Sequence, residues 1–146
     1  VMRFVPGLAM FADGPVAFDG DEQAYARPMK PVLDGLGQLG ACIEYHGEEG
    51  RLPFTIIPPQ TVSQCAEPSV VSIDSSGSSQ FISGLLLVGS RVPGGLELHH
   101  TGEKTPSLPH IRMTVADLQG SGVRATPTNT PACGPCSREP CSCPKR

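Results

Sequence analysis

Four serines and a glutamine crowd one short stretch of the chain, Ser75-Ser76-Gly77-Ser78-Ser79-Gln80-Phe81. Hydroxyls and a carboxamide at that density suit the holding of a phosphate or of a polyhydroxylated ligand. The stretch joins an apolar strand, Val70-Val71-Ser72-Ile73-Asp74, to an apolar helix expected from about Ser79 through Phe81, Ile82, Leu85, Leu86 and Val88. Backbone N–H groups at a helix start have no intrahelical partner and sit at the positive end of the macrodipole, so an anion is favoured there. Taken alone, the same serines also read as an ordinary N-cap.

Other residue types extend the set. Arg27, just before Pro28, carries a guanidinium fork that can grip a carboxylate or phosphate, although a loop arginine is more often a solvated charge. Ser107, before Leu108-Pro109, is a second hydroxyl ligand or a cap for the next helix. His99, His100 and His110 lack the spacing and carboxylate company of a metal site, which favours surface or core roles. Asp19, Asp21 and Glu22 form an acidic turn that is solvated or satisfies backbone donors. No G-x-S-x-G elbow supports a Ser-His-Asp arrangement.

Four of the six cysteines, Cys133, Cys136, Cys141 and Cys143, lie in the final stretch. Their C-x2-C-x4-C-x-C pattern admits zinc, and Cys133-Gly134-Pro135-Cys136 admits redox chemistry. The ligands are crowded for zinc, and no strand–helix frame flanks the C-x-x-C for redox. The preferred reading is a GC-rich gene read in a shifted frame, which yields Pro, Arg, Gly and Cys in excess. Residues 124–146 are accordingly expected to be a disordered Pro/Cys-rich tail. At the other end, Val1 to Phe11 reads as a helix already in progress, so an internal fragment is expected.

Composition narrows the class. The 146 residues are 38% hydrophobic with a net charge of −3, which fits one soluble globular domain and gives no basic field for nucleic acid. There is no Trp and only 2 Tyr, too few for a base-stacking platform. The longest apolar run, Phe81 to Gly89, is broken by Ser83 and falls well short of the ~20 residues of a membrane span.

The elements that must position these residues recur. Residues 15–45 place a strand at Pro15–Asp19, a polar loop from Gly20 to Pro28, a helix from Met29 to Leu39 stopped at Gly40, and a strand at Cys42–Tyr45. Residues 96–123 place a strand at Leu96–His100, a loop from Thr101 to Pro109, and a helix from His110 to Gln119 ending before Gly122. Gly20 and Gly102, like the stops Gly40 and Gly122, stand 82 positions apart (102 minus 20, 122 minus 40), which argues for an internal repeat. A helix at Met2–Ala12 would correspond to the one at Ser79–Ser90. Between the copies, Arg51–Ile57 reads as the return arm of a hairpin with Cys42–Tyr45. The expected class is mixed α/β (α+β).

Three ordered motifs carry a resemblance: Phe18-Asp19-Gly20-Asp21 with Arg27-Pro28-Met29, then Asp74 to Phe81, then Thr101-Gly102 with Ser107-Leu108-Pro109-His110-Ile111. The series resembles the middle of the 5-enolpyruvylshikimate-3-phosphate synthase (3-phosphoshikimate 1-carboxyvinyltransferase) family over about Val1 to Val123. The resemblance implies two globular domains of the inside-out barrel type, each built from three β-α-β-α-β-β units. Residues 1–123 would supply about two units of the first-half domain. It also implies transfer of the enolpyruvyl group of phosphoenolpyruvate to the 5-hydroxyl of shikimate 3-phosphate, with release of phosphate. That step belongs to the shikimate pathway, toward chorismate and the aromatic amino acids.

By the same resemblance, Ser78, Ser79, Gln80 and Ser107 bind shikimate 3-phosphate, and Gln80 also lies near phosphoenolpyruvate. Arg27 binds phosphoenolpyruvate, and Arg3 and His110 are further substrate contacts. His110 stands where the family often has an aromatic residue. No catalytic acid or base falls within this chain, so it is expected to be inactive alone, as one wall of a larger site. No cofactor and no metal are implied, and the parent is expected to be a cytoplasmic monomer, without nucleic acid or membrane as partner. The alternatives are the sister transferase acting on UDP-N-acetylglucosamine, whose site does not call for a Ser-Ser-Gln run, and a non-catalytic metal or redox module built on the cysteine tail.

Overall fold

The computed structural model describes residues 2–60, 67–104 and 107–126. They form a mixed α/β arrangement with two small sheets. Strands β1 (Val16–Phe18), β2 (Cys42–Tyr45) and β3 (Phe54–Ile57) make an antiparallel sheet in the order β1-β3-β2. The expected hairpin is present, with Cys42 opposite Ile57 and Tyr45 opposite Phe54. Alternate residues of β3 face inward, so Phe54 and Ile56 are fully buried, and Phe54 stacks on Phe18 at 5.2 Å between ring centroids.

The second sheet pairs β4 (Ser69–Ile73) with β5 (Leu96–His100) in parallel, Ser69 opposite Leu96 and Ile73 opposite His100. Parallel strands need a crossover, and α3 (Gln80–Gly89) supplies it. This helix is nearly apolar all round, as a helix covered on several sides must be. It packs against α2 (Lys30–Gln38), α4 (Leu108–Gly120), β5 and the N-terminal helix. Phe81, Ile82, Leu85 and Val88 are buried there, with Leu85 at 0% exposure. Gly7 and Gly84 let the N-terminal segment lie close against α3, because a Cβ on Gly84 would meet the Arg3 carbonyl oxygen at 2.5 Å.

Helix α2 is tied to the second sheet by Gln38. Its Nε2 donates to the Ser72 carbonyl at 2.9 Å, and its Oε1 accepts the Ser72 N–H at 2.9 Å. The carboxamide thus continues the hydrogen-bonding pattern along the free edge of β4.

Helix α2 keeps Pro31 in its first turn, where the missing N–H costs nothing. Its apolar face, Val32, Leu33 and Leu36, is buried. It stops as the glycine spacing predicts: Gly40 takes φ +100° and the Ala41 N–H reaches back to the Leu36 carbonyl at 3.1 Å. Helix α4 stops in the same way, with Gly122 at φ +84° and the Val123 N–H on the Leu118 carbonyl at 2.9 Å. Both segments thus carry a strand, a helix and a glycine stop, and their strands pair differently, since β1 lies antiparallel to β3 whereas β5 lies parallel to β4. No barrel closes among the described residues.

Two elements differ from expectation. The Met2–Ala12 helix is a 3-10 helix over Val5–Phe11, where Gly7 weakens α propagation in the first turn. The Gly20–Pro28 loop contains a short helix, α1 (Glu22–Tyr25), which Asp21 caps by accepting the Ala24 N–H at 2.8 Å. Asp19 accepts from the Gly20 N–H at 2.8 Å and from the Tyr25 hydroxyl at 2.6 Å, so the acidic turn satisfies local donors. The expectations for the cysteine tail from Pro127 onward lie outside the described residues.

Candidate anion-binding site

The polar junction between β4 and α3 is anchored by Ser75, which is fully buried, and by Asp74, whose Oδ1 accepts the Ser76 N–H at 2.9 Å. Ser76 holds the Asp74 carboxyl below its ordinary value, through its side chain first and its N–H second. The Ser78 carbonyl and hydroxyl take the Phe81 and Gln80 N–H groups, the latter at 3.2 Å. Ser79 occupies the N-cap position of α3 with helical dihedrals and makes no side-chain capping bond. The serine-cap reading therefore holds at Ser78, whose hydroxyl accepts the first N–H of α3, rather than at Ser79.

From this junction a cleft of about 320 Å³ opens between α3 and α4, with Phe4 of the N-terminal segment at its rim. Ser78, Ser79 and Gln80 line one wall and His110 the other. Ser107, at the start of α4, makes no capping bond to its own helix, and its hydroxyl shares a 2.7 Å hydrogen bond with His110 Nδ1. The structure thus brings five of the seven candidates to one place.

Arg3 joins them. Its Nη1 donates to Gln80 Oε1 at 3.1 Å, and its guanidinium carbon lies 4.6 Å from the centroid of the Phe81 ring. Burial lowers the Arg3 guanidinium from its ordinary value, and the positive charge of Arg27 lowers it further. Two cations held within each other's field are mutually destabilising, and an anion placed near both relieves that repulsion. Arg27 itself is exposed, on the loop between α1 and α2.

Sequence reasoning missed part of the lining: Phe4, Ser83, Met113, Thr114 and Asp117. Thr114 Oγ1 lies 2.9 Å from Ser83 Oγ and 3.1 Å from the His110 carbonyl, a polar stitch between the two helices. Ser83 was visible as a break in the apolar run. Thr114 and Asp117 follow His110 at four and seven positions, the spacing of one helical face. Among the described residues no group of three or more His, Cys, Asp or Glu is placed to hold a metal ion. No helix of the described residues is long and apolar enough to cross a membrane.

A serine-rich helix start faces a histidine–serine pair on a mixed α/β frame, with Arg3 held on Gln80, and these donors are of the types that suit a polyhydroxylated anion. The model of the EPSP synthase (3-phosphoshikimate 1-carboxyvinyltransferase) family matches residues 1–133, and the chain belongs to that family. A 3-phosphoshikimate 1-carboxyvinyltransferase of Bifidobacterium longum (strain DJO10A) is 79% identical over 122 residues, 84% of this chain and 27% of the relative. The protein of the same name from Mycobacterium ulcerans (strain Agy99) is 47% identical over 123 residues, again 84% of this chain and 27% of the relative. The solved EPSP synthase of Acinetobacter baumannii superposes with a TM-score of 0.56 at 25% identity, covering 71% of this chain and 22% of that one. The chain therefore spans about a quarter of the length of the relatives it matches.

Proposed function

We propose that this chain supplies one wall of the active site of a 3-phosphoshikimate 1-carboxyvinyltransferase, which moves the enolpyruvyl group of phosphoenolpyruvate onto the 5-hydroxyl of shikimate 3-phosphate and releases phosphate. The observation that carries the reading is the convergence of Ser78, Ser79, Gln80 and His110 on one cleft, in a chain of this family. In this reading Ser78 and Ser79 donate to the phosphate of shikimate 3-phosphate at the positive end of α3. Ser107 and His110 meet the same substrate from α4. Gln80, held by Arg3, stands between the two substrates, and Arg27 grips phosphoenolpyruvate with a charge-assisted fork.

The wall orients and neutralises. The groups that protonate the methylene of phosphoenolpyruvate and deprotonate the 5-hydroxyl belong to the remainder of the length that the relatives possess. The three-unit domain architecture, the cytoplasmic setting and a monomeric parent are parts of the same proposal.

The test is a chimera in which the matching 122-residue segment of the Bifidobacterium longum relative is replaced by that of this chain. The chimera is expected to turn over, and the isolated 146-residue chain is expected not to. In the chimera, Ser79→Ala should raise KM for shikimate 3-phosphate about tenfold, and Arg27→Ala should raise KM for phosphoenolpyruvate by tenfold to about a hundredfold. Unchanged constants in both variants would remove these residues from the site.

A further inference from the structure

The loops that carry the two walls of the cleft leave the sheet side by side. One follows β4 and runs from Asp74 to Gln80; the other follows β5 and begins with Thr101, Gly102, Glu103 and Lys104. A single imidazole joins them. His100 Nδ1 lies 2.7 Å from the Ser75 hydroxyl, 3.3 Å from the Ser75 N–H and 3.4 Å from the Gly102 N–H. Its Nε2 lies 3.0 Å from the Lys104 carbonyl oxygen. Backbone N–H groups only donate and a carbonyl only accepts, so these partners dictate the tautomer: Nδ1 bare and accepting, Nε2 carrying the proton.

The fit around the ring is close. A Cβ on Gly102 would run into the Ser76 hydroxyl, the Asp74 carboxylate and the His100 ring itself. Ser75 is fully buried. The charged groups near the imidazole are Asp74 at the end of β4, whose carboxylate is affected by His100, with Glu103 and Lys104 on the loop after β5. Helix α3, packed on β5, contributes no titratable side chain.

We infer that His100, as the neutral Nε2–H tautomer, is a positioning residue that sets the β4 loop against the β5 loop and so fixes the distance between the two walls of the shikimate 3-phosphate cleft. The inference rests on the proposed function for the identity of the ligand. A proton on Nδ1 would replace the acceptor with a donor aimed at two N–H groups that cannot rotate away. The junction would open and the walls would separate. Asparagine at this position keeps an acceptor near the place of Nδ1 and does not titrate; alanine keeps nothing.

The test uses the chimera with His100→Ala and His100→Asn. His100→Ala should raise KM for shikimate 3-phosphate about tenfold with kcat changed less than about threefold, because orientation of that substrate is lost while the chemistry is not. His100→Asn should restore KM at pH 7.5. Hydrogen exchange in the segments 75–80 and 101–104 should speed up about tenfold in His100→Ala, and this arm does not depend on activity. Unchanged KM and exchange in His100→Ala, or an asparagine variant whose KM stays as high as that of His100→Ala, would overturn the inference. A chimera that fails to bind shikimate 3-phosphate would overturn the proposed function instead, and the exchange arm would still decide the role of His100.

Discussion

Gly84→Ala separates positioning from stability more sharply than any large truncation in this protein. Gly84 is a buried interior position of α3, where alanine is favoured over glycine by about 1 kcal/mol on helix propensity. Against that gain, the new Cβ would lie 2.5 Å from the Arg3 carbonyl oxygen, where real Cβ atoms stay beyond 3.0 Å. The obstacle is backbone, so it must retreat by about half an ångström or more, and overpacking of this kind costs about 1–3 kcal/mol. The two effects nearly cancel, leaving a net loss of about 0–2 kcal/mol. Function has no such compensation. The atom pushed away belongs to the residue whose guanidinium holds Gln80 and covers Phe81. Urea denaturation and steady-state kinetics on the chimera should therefore disagree: stability changes by less than about 2 kcal/mol, while KM for shikimate 3-phosphate rises about tenfold. An alanine variant that gains about 1 kcal/mol with unchanged kinetics would refute the reasoning. Gly35→Ala is the control, because its Cβ would meet the flexible end of Leu85.

Three further outcomes are expected. Leu85→Ala empties a fully buried position and should cost about 2–5 kcal/mol by denaturant titration. Gln38→Ala removes both bonds to the Ser72 edge and should cost about 1–2 kcal/mol, with faster exchange along β4 and little change in kcat. Asp74 has its folded-state pKa lowered below the ordinary 3.8 by Ser76, so its contribution is complete above that ordinary value and is lost as pH falls through the lowered one. The difference in stability between the parent and Asp74→Asn should accordingly be steady from pH 7 to about 5 and shrink only as pH falls below the ordinary 3.8.

Most of the frame was legible from local rules. The glycine stops at Gly40 and Gly122 are local signals, and helices α2 and α4 end where those signals place them. The parallel pairing of β4 with β5 against the antiparallel sheet was not legible, because strand partners are chosen by contacts far apart in the chain. Helix α1 hid in a polar loop since its only signal is the Asp21 cap, and the N-terminal 3-10 helix hid behind an apolar pattern in which Gly7 weakens the α geometry. For the site, Ser78, Ser79 and Gln80 announced themselves by type and spacing. Thr114 and Asp117 are ordinary helix-surface residues until α4 is laid against α3. His100 carried no signal, because its role lies in which three donors the fold aims at one nitrogen.

The most direct test of the account is a crystal structure of the chimera soaked with shikimate 3-phosphate. The account predicts density for the ligand between α3 and α4, its phosphate on Ser78 and Ser79 and its ring toward Ser107 and His110. Density seated instead beside Asp74, Thr101 and Lys104, in the neighbouring cleft at the ends of β4 and β5, would contradict it.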